Sequence, residues 1–157
     1  TAYGRNAAIH KIIMSAMSKR ALFAGLVFDE AGQALEATHV GDEAHYVIDD
    51  NGFRRHVAAE HIDRQVLHTL RKQIMDHKEL VSDSTLQLMG TDDLFTKAMI
   101  DSSIKNIGEH MNRLIENGLP AGAQQWLGML GFRIVVDHHG DVARLDQPST
   151  PSDQHDL

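Results

Sequence analysis

The stretch HYVIDDNGFRRHVAAEH, residues 45–61, decides the fold because it places an Asn-Gly pair between two alternating runs of apolar and polar residues. Asn51-Gly52 is typical of a type I′ turn, in which both central residues adopt a positive φ. A two-residue turn also fixes the register of the strands that it joins. The stretch therefore predicts a β-hairpin in which Asp49 lies opposite Arg54.

This register sorts the side chains of the hairpin onto two faces. We expect the apolar face to be buried, and its members are Tyr46, Ile48, Phe53 and Val57. The opposite, polar face carries His45, Val47, Asp49, Arg54 and His56. On that face Asp49 and Arg54 are expected to form a cross-strand ion pair. Because the histidines fall on the polar face, we interpret the stretch as a hairpin with a solvated outer surface.

The residues around the hairpin predict an α+β protein. Residues 20–58 are expected to form an antiparallel meander or small SH3-like barrel, with further strands at ALFAGLVF (21–28) and QALEATHV (33–40). From residue 59 the apolar period becomes that of a helix, so residues 59–130 are predicted to be helical. A C-terminal β-hairpin is predicted over residues 131–146, where it is expected to rejoin the sheet.

Two apolar patterns organise the helical region. The first predicts the buried face of a helix that breaks at residues 82–84, and it consists of Ile62, Val66, Leu70 and Ile74. Gly90 is expected to end the next short helix, and Thr91 to cap a longer helix that runs to about Asn117. The second pattern is a coiled-coil-like seam on that longer helix, formed by Ile100, Ile104, Ile107, Met111 and Leu114.

The two ends of the chain differ from the rest in composition. Residues 1–19 combine basic and aliphatic residues at helical spacing, and residues 1–28 contain no acidic residue. They predict a basic amphipathic helix that packs on an acidic body, with a targeting or membrane-surface segment as the alternative. Residues 147–157, QPSTPSDQHDL, are expected to be a disordered tail.

One segment of the chain, GLVFDEAGQALEATHVGDEAHYVIDDNGFRRHVAAEHID, resembles a PRC-barrel domain, and the resemblance extends over residues 20–63. The matching features are VFDEAG in the first hairpin, HYVIDD as a middle strand and HVAAEHID as the closing run. Glu36 and Ala58 stand where that family has a Gly and a Pro. The resemblance implies a small SH3-like barrel that acts as a docking module, and it transfers no catalytic residue.

Composition excludes several classes of protein. The 157 residues include no cysteine, so disulfides, thiolate metal sites and a cysteine nucleophile are excluded, and a cytoplasmic location is expected. The net charge of −7 argues against general binding to nucleic acid. No run of apolar residues is long enough to predict a transmembrane segment.

Eleven histidines raise the question of a metal site. The histidines predicted on helices have no His, Asp or Glu three or four residues away, which is the spacing that two ligands on one helix require. The remaining candidates lie on strands and loops and are His45, His56, His138 and His139. VVDHHGD, residues 135–141, is similar to a manganese-binding phosphoesterase signature, but we favour a hairpin with His139-Gly140 at the tip of a two-residue loop.

These patterns favour a non-catalytic cytoplasmic interaction or scaffolding module that needs no cofactor. The seam from Ile100 to Leu114 is expected to pack on the helix at residues 60–77 within one chain, to pair with a second copy, or to do both. We expect the protein to form a homo-oligomer, such as a homodimer, through its helices, and its protein partner is not specified by the sequence. One alternative is a metal-binding or metal-dependent hydrolytic protein that uses the strand and loop histidines. Another is an RNA- or ribosome-associated factor with a basic patch formed by Arg54, Arg55, His56, Arg64, Arg71 and Lys72.

Overall fold

A computed structural model describes residues 20–147. The predicted helix at residues 1–19, and all of the predicted tail except Gln147, lie outside the described residues. The elements in chain order are β1 (Val27–Phe28), β2 (Glu36–Val40), β3 (Glu43–Asp50), β4 (Phe53–Ala58), α1 (Ala59–Asp76), α2 (Lys78–Met89), α3 (Leu94–Lys105), α4 (Ile107–Asn117), α5 (Ala123–Met129), β5 (Arg133–Val136) and β6 (Val142–Asp146).

The six strands form two small sheets. β2, β3 and β4 make an antiparallel meander, whereas β1 pairs in parallel with β5, which pairs antiparallel with β6. The prediction of an α+β protein is confirmed. Of the two predicted arrangements, the meander is found among the described residues and a closed barrel is not, and the C-terminal hairpin joins β1 in a second sheet instead of the meander.

The predicted central hairpin has the predicted register. Asp49 lies opposite Arg54, and Asn51 and Gly52 both have positive φ values, of 53° and 89°. Two details differ. Arg54 donates to Glu36 on β2, while Asp49 accepts the amide of Gly52 at 2.8 Å. Phe53, which was expected on the buried face, is 66% exposed.

The predicted strand at residues 21–28 is the main error in the sheet. Only Val27–Phe28 is a strand, and the residues before it form turns. The amides of Leu22 and Phe23 donate to the side chains of Asp63 and Tyr46, at 3.0 and 3.1 Å. Because these amides already have side-chain acceptors, this part of the segment does not extend the meander.

The helices follow the predicted apolar stripe but break at other positions. Ile62 and Val66 are completely buried, as the stripe predicts. α1 gives way to α2 at His77 and not at residues 82–84, which lie inside α2. Gly90 adopts the predicted left-handed conformation, with a φ of 69°.

The next helix differs from its prediction at its start and in its middle. Asp93, and not Thr91, caps it by accepting the amide of Thr96 at 3.2 Å. It is divided at Asn106 into α3 and α4.

The hydrophobic core lies between the sheets and one side of the helices. It includes residues of α1 and α4 together with β3 and β5, and its largest fully buried members are Tyr46, Leu22, Ile48, Ile62 and Ile134. No residue of α2 or α3 belongs to this cluster. These two helices pack mainly on each other. They therefore form a helical arm, defined here as residues 78–105.

A buried tyrosine and aspartate connect the parts of the core. The Tyr46 hydroxyl donates to Asp63 Oδ1 at 2.7 Å, and Asp63 is 1% exposed. Burial raises the pKa of the Asp63 carboxyl to about 6, although the donors from Leu22 and Tyr46 act in the opposite direction. Burial and the neighbouring carboxylate also raise the pKa of Tyr46, so its hydroxyl keeps its proton.

Replacing Tyr46 with phenylalanine is expected to lower the free energy of unfolding by about 2–3 kcal/mol. The Phe23 amide loses its acceptor and the Asp63 carboxylate loses a donor, and both stay buried. Urea unfolding of Tyr46→Phe, Asp63→Asn and the double variant measures this effect and the coupling between the two residues. If Tyr46→Phe lowers the free energy of unfolding by less than about 0.5 kcal/mol, the Tyr46 hydroxyl does not have the stabilising role described here.

The Asp63 carboxyl also predicts a pH dependence of stability. Its pKa is raised from 3.8 to about 6 in the folded chain, so between these values the folded state binds more protons than the unfolded state. The free energy of unfolding therefore falls as the pH rises through this window, by at most about 3 kcal/mol. The difference between the free energies of unfolding of the wild type and of Asp63→Asn isolates this contribution. If this difference stays constant or rises from pH 4 to pH 7, the predicted pH dependence is wrong.

Candidate functional site

The strand histidines form a pair, without a third ligand among the described residues. The rings of His45 and His56 have centroids 6.3 Å apart on the polar face of the hairpin. His45 Nδ1 lies 3.0 Å from the carbonyl oxygen of Glu43. Within residues 20–147, no group of three His, Cys, Asp or Glu side chains is arranged to hold a metal ion.

The loop between β5 and β6 uses its aspartate for its own backbone. Asp137 Oδ1 accepts the amides of His139 and Asp141, at 2.9 and 3.0 Å. These amides, that of Asp141 first, hold the pKa of the Asp137 carboxyl below its usual range. The rings of His138 and His139 lie 4.0 Å apart. One oxygen of the Asp137 carboxylate thus holds the loop in place.

The length of this loop differs from its prediction. Val136 pairs with Val142, so the loop has five residues and not two. Asp141 lies 3.3 Å from His61 Nε2, and the Val142 amide donates to Gln65 at 3.0 Å. α1 therefore holds the end of the loop, where Gly140 has a φ of 89°.

Gly140→Ala is expected to destabilise the protein more than Gly131→Ala. Both glycines have a φ near 90°, which costs a non-glycine residue about 1–2 kcal/mol. A Cβ at Gly140 also meets two methyl groups of Val57 at 3.0 Å, whereas a Cβ at Gly131 meets no atom within 4 Å. We therefore expect Gly140→Ala to lower the free energy of unfolding by about 1 kcal/mol more than Gly131→Ala does, as measured by urea unfolding.

Val57→Ala supplies the control for this prediction, because it removes both methyl groups. In that background the difference between the two alanine variants is expected to disappear. An equal cost for both variants in the wild-type background contradicts the proposed contact.

The residues of the predicted interaction seam are buried within the chain to different degrees. Ile104 is buried, and Met111 and Leu114 pack partly buried against the core. Ile100 and Ile107 are half-buried. The seam thus contributes largely to contacts within the chain, through the pairing of α3 with α2 and of α4 with α1.

A different set of apolar residues on the helical arm is exposed. Leu88 is 89% exposed and Phe95 is 72% exposed. The other large apolar side chains of the arm that are more than half exposed are Leu80, Met89, Leu94 and Met99. We call these six residues the arm patch. In the sequence, part of this patch can be recognised as a stripe of uncharged residues at helical spacing on α3. The stripe is exposed in the structure and consists of Phe95, Ala98, Met99 and Ser102.

One cluster of charges joins the two helices of the arm. Lys97 Nζ on α3 lies 3.4 Å from Glu79 Oε2 and 3.4 Å from Asp83 Oδ1, both on α2. Ser82 and Leu86 of α2 are buried. The arm is therefore closed by one ion-pair cluster and a narrow interior, and its exposed surface mixes the arm patch with polar residues such as Asp92 and Asp93.

The predicted polar face and the predicted basic patch lie outside the helical arm. Asp49, Arg54 and His56 share the polar face of the meander, as predicted. Asp49 and Arg54 form hydrogen bonds within that sheet, and the ring of His56 lies beside that of His45. The predicted basic patch is divided, because Arg54 and Arg55 pair with carboxylates next to the hairpin while Arg64 and Arg71 line a groove between α1 and α4.

Comparison of the chain with protein-family models, curated proteins and solved structures found no match. Among the helices of residues 20–147, none combines the length and the hydropathy needed to cross a bilayer.

Proposed function

We propose that this protein is a non-catalytic interaction module that self-associates through the arm patch. The observation that carries the proposal is the exposure of six large apolar side chains on two helices that contribute nothing to the core cluster. Monomeric proteins rarely expose contiguous apolar surface beyond a few hundred Å². Burial against a partner removes that surface from water.

The part of the arm patch that one partner covers is centred on α3. Phe95 and Met99 are exposed and four residues apart, so they lie on one face of that helix, whereas Leu80 and Met89 lie on opposite sides of α2. Phe95, Met99 and Leu94 are the anchors we expect, since aromatic residues and Met are enriched at the centres of interfaces.

The chemistry of the arm patch favours a second copy as the partner. Lys97 already has two carboxylate partners, and the exposed residues that follow Phe95 on the same face of α3, Ala98, Met99 and Ser102, are uncharged. Two copies that pack arm against arm form a four-helix bundle with a two-fold axis, in which the face with Phe95 and Met99 of each copy covers that of the other. A surface of this kind is self-complementary without any charge matching.

Self-association is expected to give a particle of twice the 17.4 kDa chain mass in light scattering after size exclusion. Phe95→Lys is expected to weaken it by at least about 30-fold, as for an interface hot spot. Trp126→Lys is the matched control, since Trp126 on α5 is 61% exposed and lies outside the arm. Association is expected to persist at high salt, because apolar burial drives it.

Two results contradict the proposal. One is a wild-type monomer at every concentration up to the solubility limit. The other is a dimer that Trp126→Lys disrupts and Phe95→Lys leaves intact, which assigns the interface to α5. Unfolding curves of both variants should match the wild type within about 0.5 kcal/mol under monomeric conditions, because both side chains are exposed.

The cytoplasmic location and the PRC-barrel relationship belong to the same proposal. The meander of β2, β3 and β4 supports the latter, because it has the antiparallel pairing that the resemblance implies. In this view the sheets provide the docking body and the helical arm joins two copies of it.

A further inference from the structure

The groove between α1 and α4 has an unusual lining for a protein with a net charge of −7. Its volume is about 290 Å³. The polar side chains that line it are Arg64, His68, Arg71 and Asn112, and no carboxylate is among the lining residues. Its floor includes Leu67 and Ile115, both buried. A cationic rim thus surrounds an apolar base.

The three basic side chains of the rim come from one face of α1. They occupy positions i, i+4 and i+7, which lie above one another on a helix. Arg64 is held by Glu60 at 2.8 Å and by Asn112 on α4 at 3.3 Å. Arg71 differs, because it has no hydrogen-bond or ion-pair partner within residues 20–147.

Gly108 on α4 makes room for the unpaired guanidinium. A Cβ at this position would lie 3.2 Å from Arg71 Nη1 and 3.3 Å from Arg71 Cζ. The guanidinium therefore rests close to the backbone of α4. Arg71 is exposed, and within residues 20–147 its N–H donors are not consumed by other side chains.

We propose that this groove binds a small organic oxyanion, with its carboxylate or phosphate group on Arg71 and its apolar part on Leu67 and Ile115. Arg71 offers the planar donors that match such groups, and His68, one turn away, adds a further donor. The volume suits a ligand of about the size of a substituted benzene ring, at the lower end of small-molecule sites.

A small ligand fits these observations better than a nucleic acid. Arg54 and Arg55, which would have to extend the cationic surface toward the sheet, are each paired with a carboxylate. The cationic surface is therefore local. The groove also uses α1 and α4, whereas the arm patch uses α2 and α3, so this inference stands independently of self-association.

Binding is tested by calorimetry and by amide NMR shifts with phenyl phosphate, benzoate and inorganic phosphate as probes. We expect saturable binding of phenyl phosphate or benzoate, with shifts at Gly108 and Asn112, and at least tenfold weaker binding of inorganic phosphate. The comparison of the first two probes distinguishes a phosphate from a carboxylate ligand. Equal affinity for inorganic phosphate and phenyl phosphate overturns the assignment of the apolar floor.

Variants assign the binding to the groove. Arg71→Gln is expected to weaken binding at least tenfold, and Gly108→Ala to weaken it by displacing the guanidinium. Lys72→Gln is the matched control, because it removes the same charge from the neighbouring residue, which is not part of the lining. Thermal unfolding of Arg71→Gln and Lys72→Gln shows that both remain folded.

Two outcomes overturn the proposal. One is the absence of saturable binding by any of the three probes to the wild type. The other is equal weakening by Arg71→Gln and Lys72→Gln, which indicates a diffuse charge effect. A single-stranded RNA that binds the wild type in an Arg71-dependent manner, while the three probes do not bind, replaces the small ligand with a polyanion.

Discussion

The buried carboxylate of Asp63 is the constraint on which the rest of the structure depends. A charge at this depth is costly unless donors surround it, and here they come from parts of the chain that are far apart in sequence. Tyr46 brings β3 to α1, and the amides of Leu22 and Phe23 bring in the segment before β1. Gln124 holds the same segment from the side of α5, by donating to the carbonyl of Leu22 at 2.6 Å. The two sheets therefore meet where these hydrogen bonds converge.

Features with a local chemical cause could be predicted from the sequence. The Asn51-Gly52 turn fixed the hairpin register, and the helical period placed Ile62 and Val66 in the core. The segment at residues 21–26 could not be predicted, because its acceptors lie 23 and 41 residues away. Asp63 does have a signal in the sequence, because three of the four residues three and four positions away on its helix face, Ala59, Val66 and Leu67, are apolar, but the signal does not reveal its partners.

The candidate surfaces show a similar limit. Periodicity identified which residues share a face on α3 and α4, but not which face meets the same chain. The seam that includes Ile104 turned inward, and the face with Phe95 and Met99 remained exposed. In the groove, the basic spacing on α1 was visible in the sequence. The contribution of Gly108 depends on how α4 packs, and so it required the structure.

The two helix breaks have a mechanical consequence. α2 and α3 each have 12 residues, so His77 and Asn106 lie at the same level, one on each side of the arm's base. Twelve residues span about 18 Å, and a tilt of roughly 10° at that level moves the tip by about 3 Å. Because the core cluster contains no residue of the arm, such a tilt would leave the packing of the core unchanged.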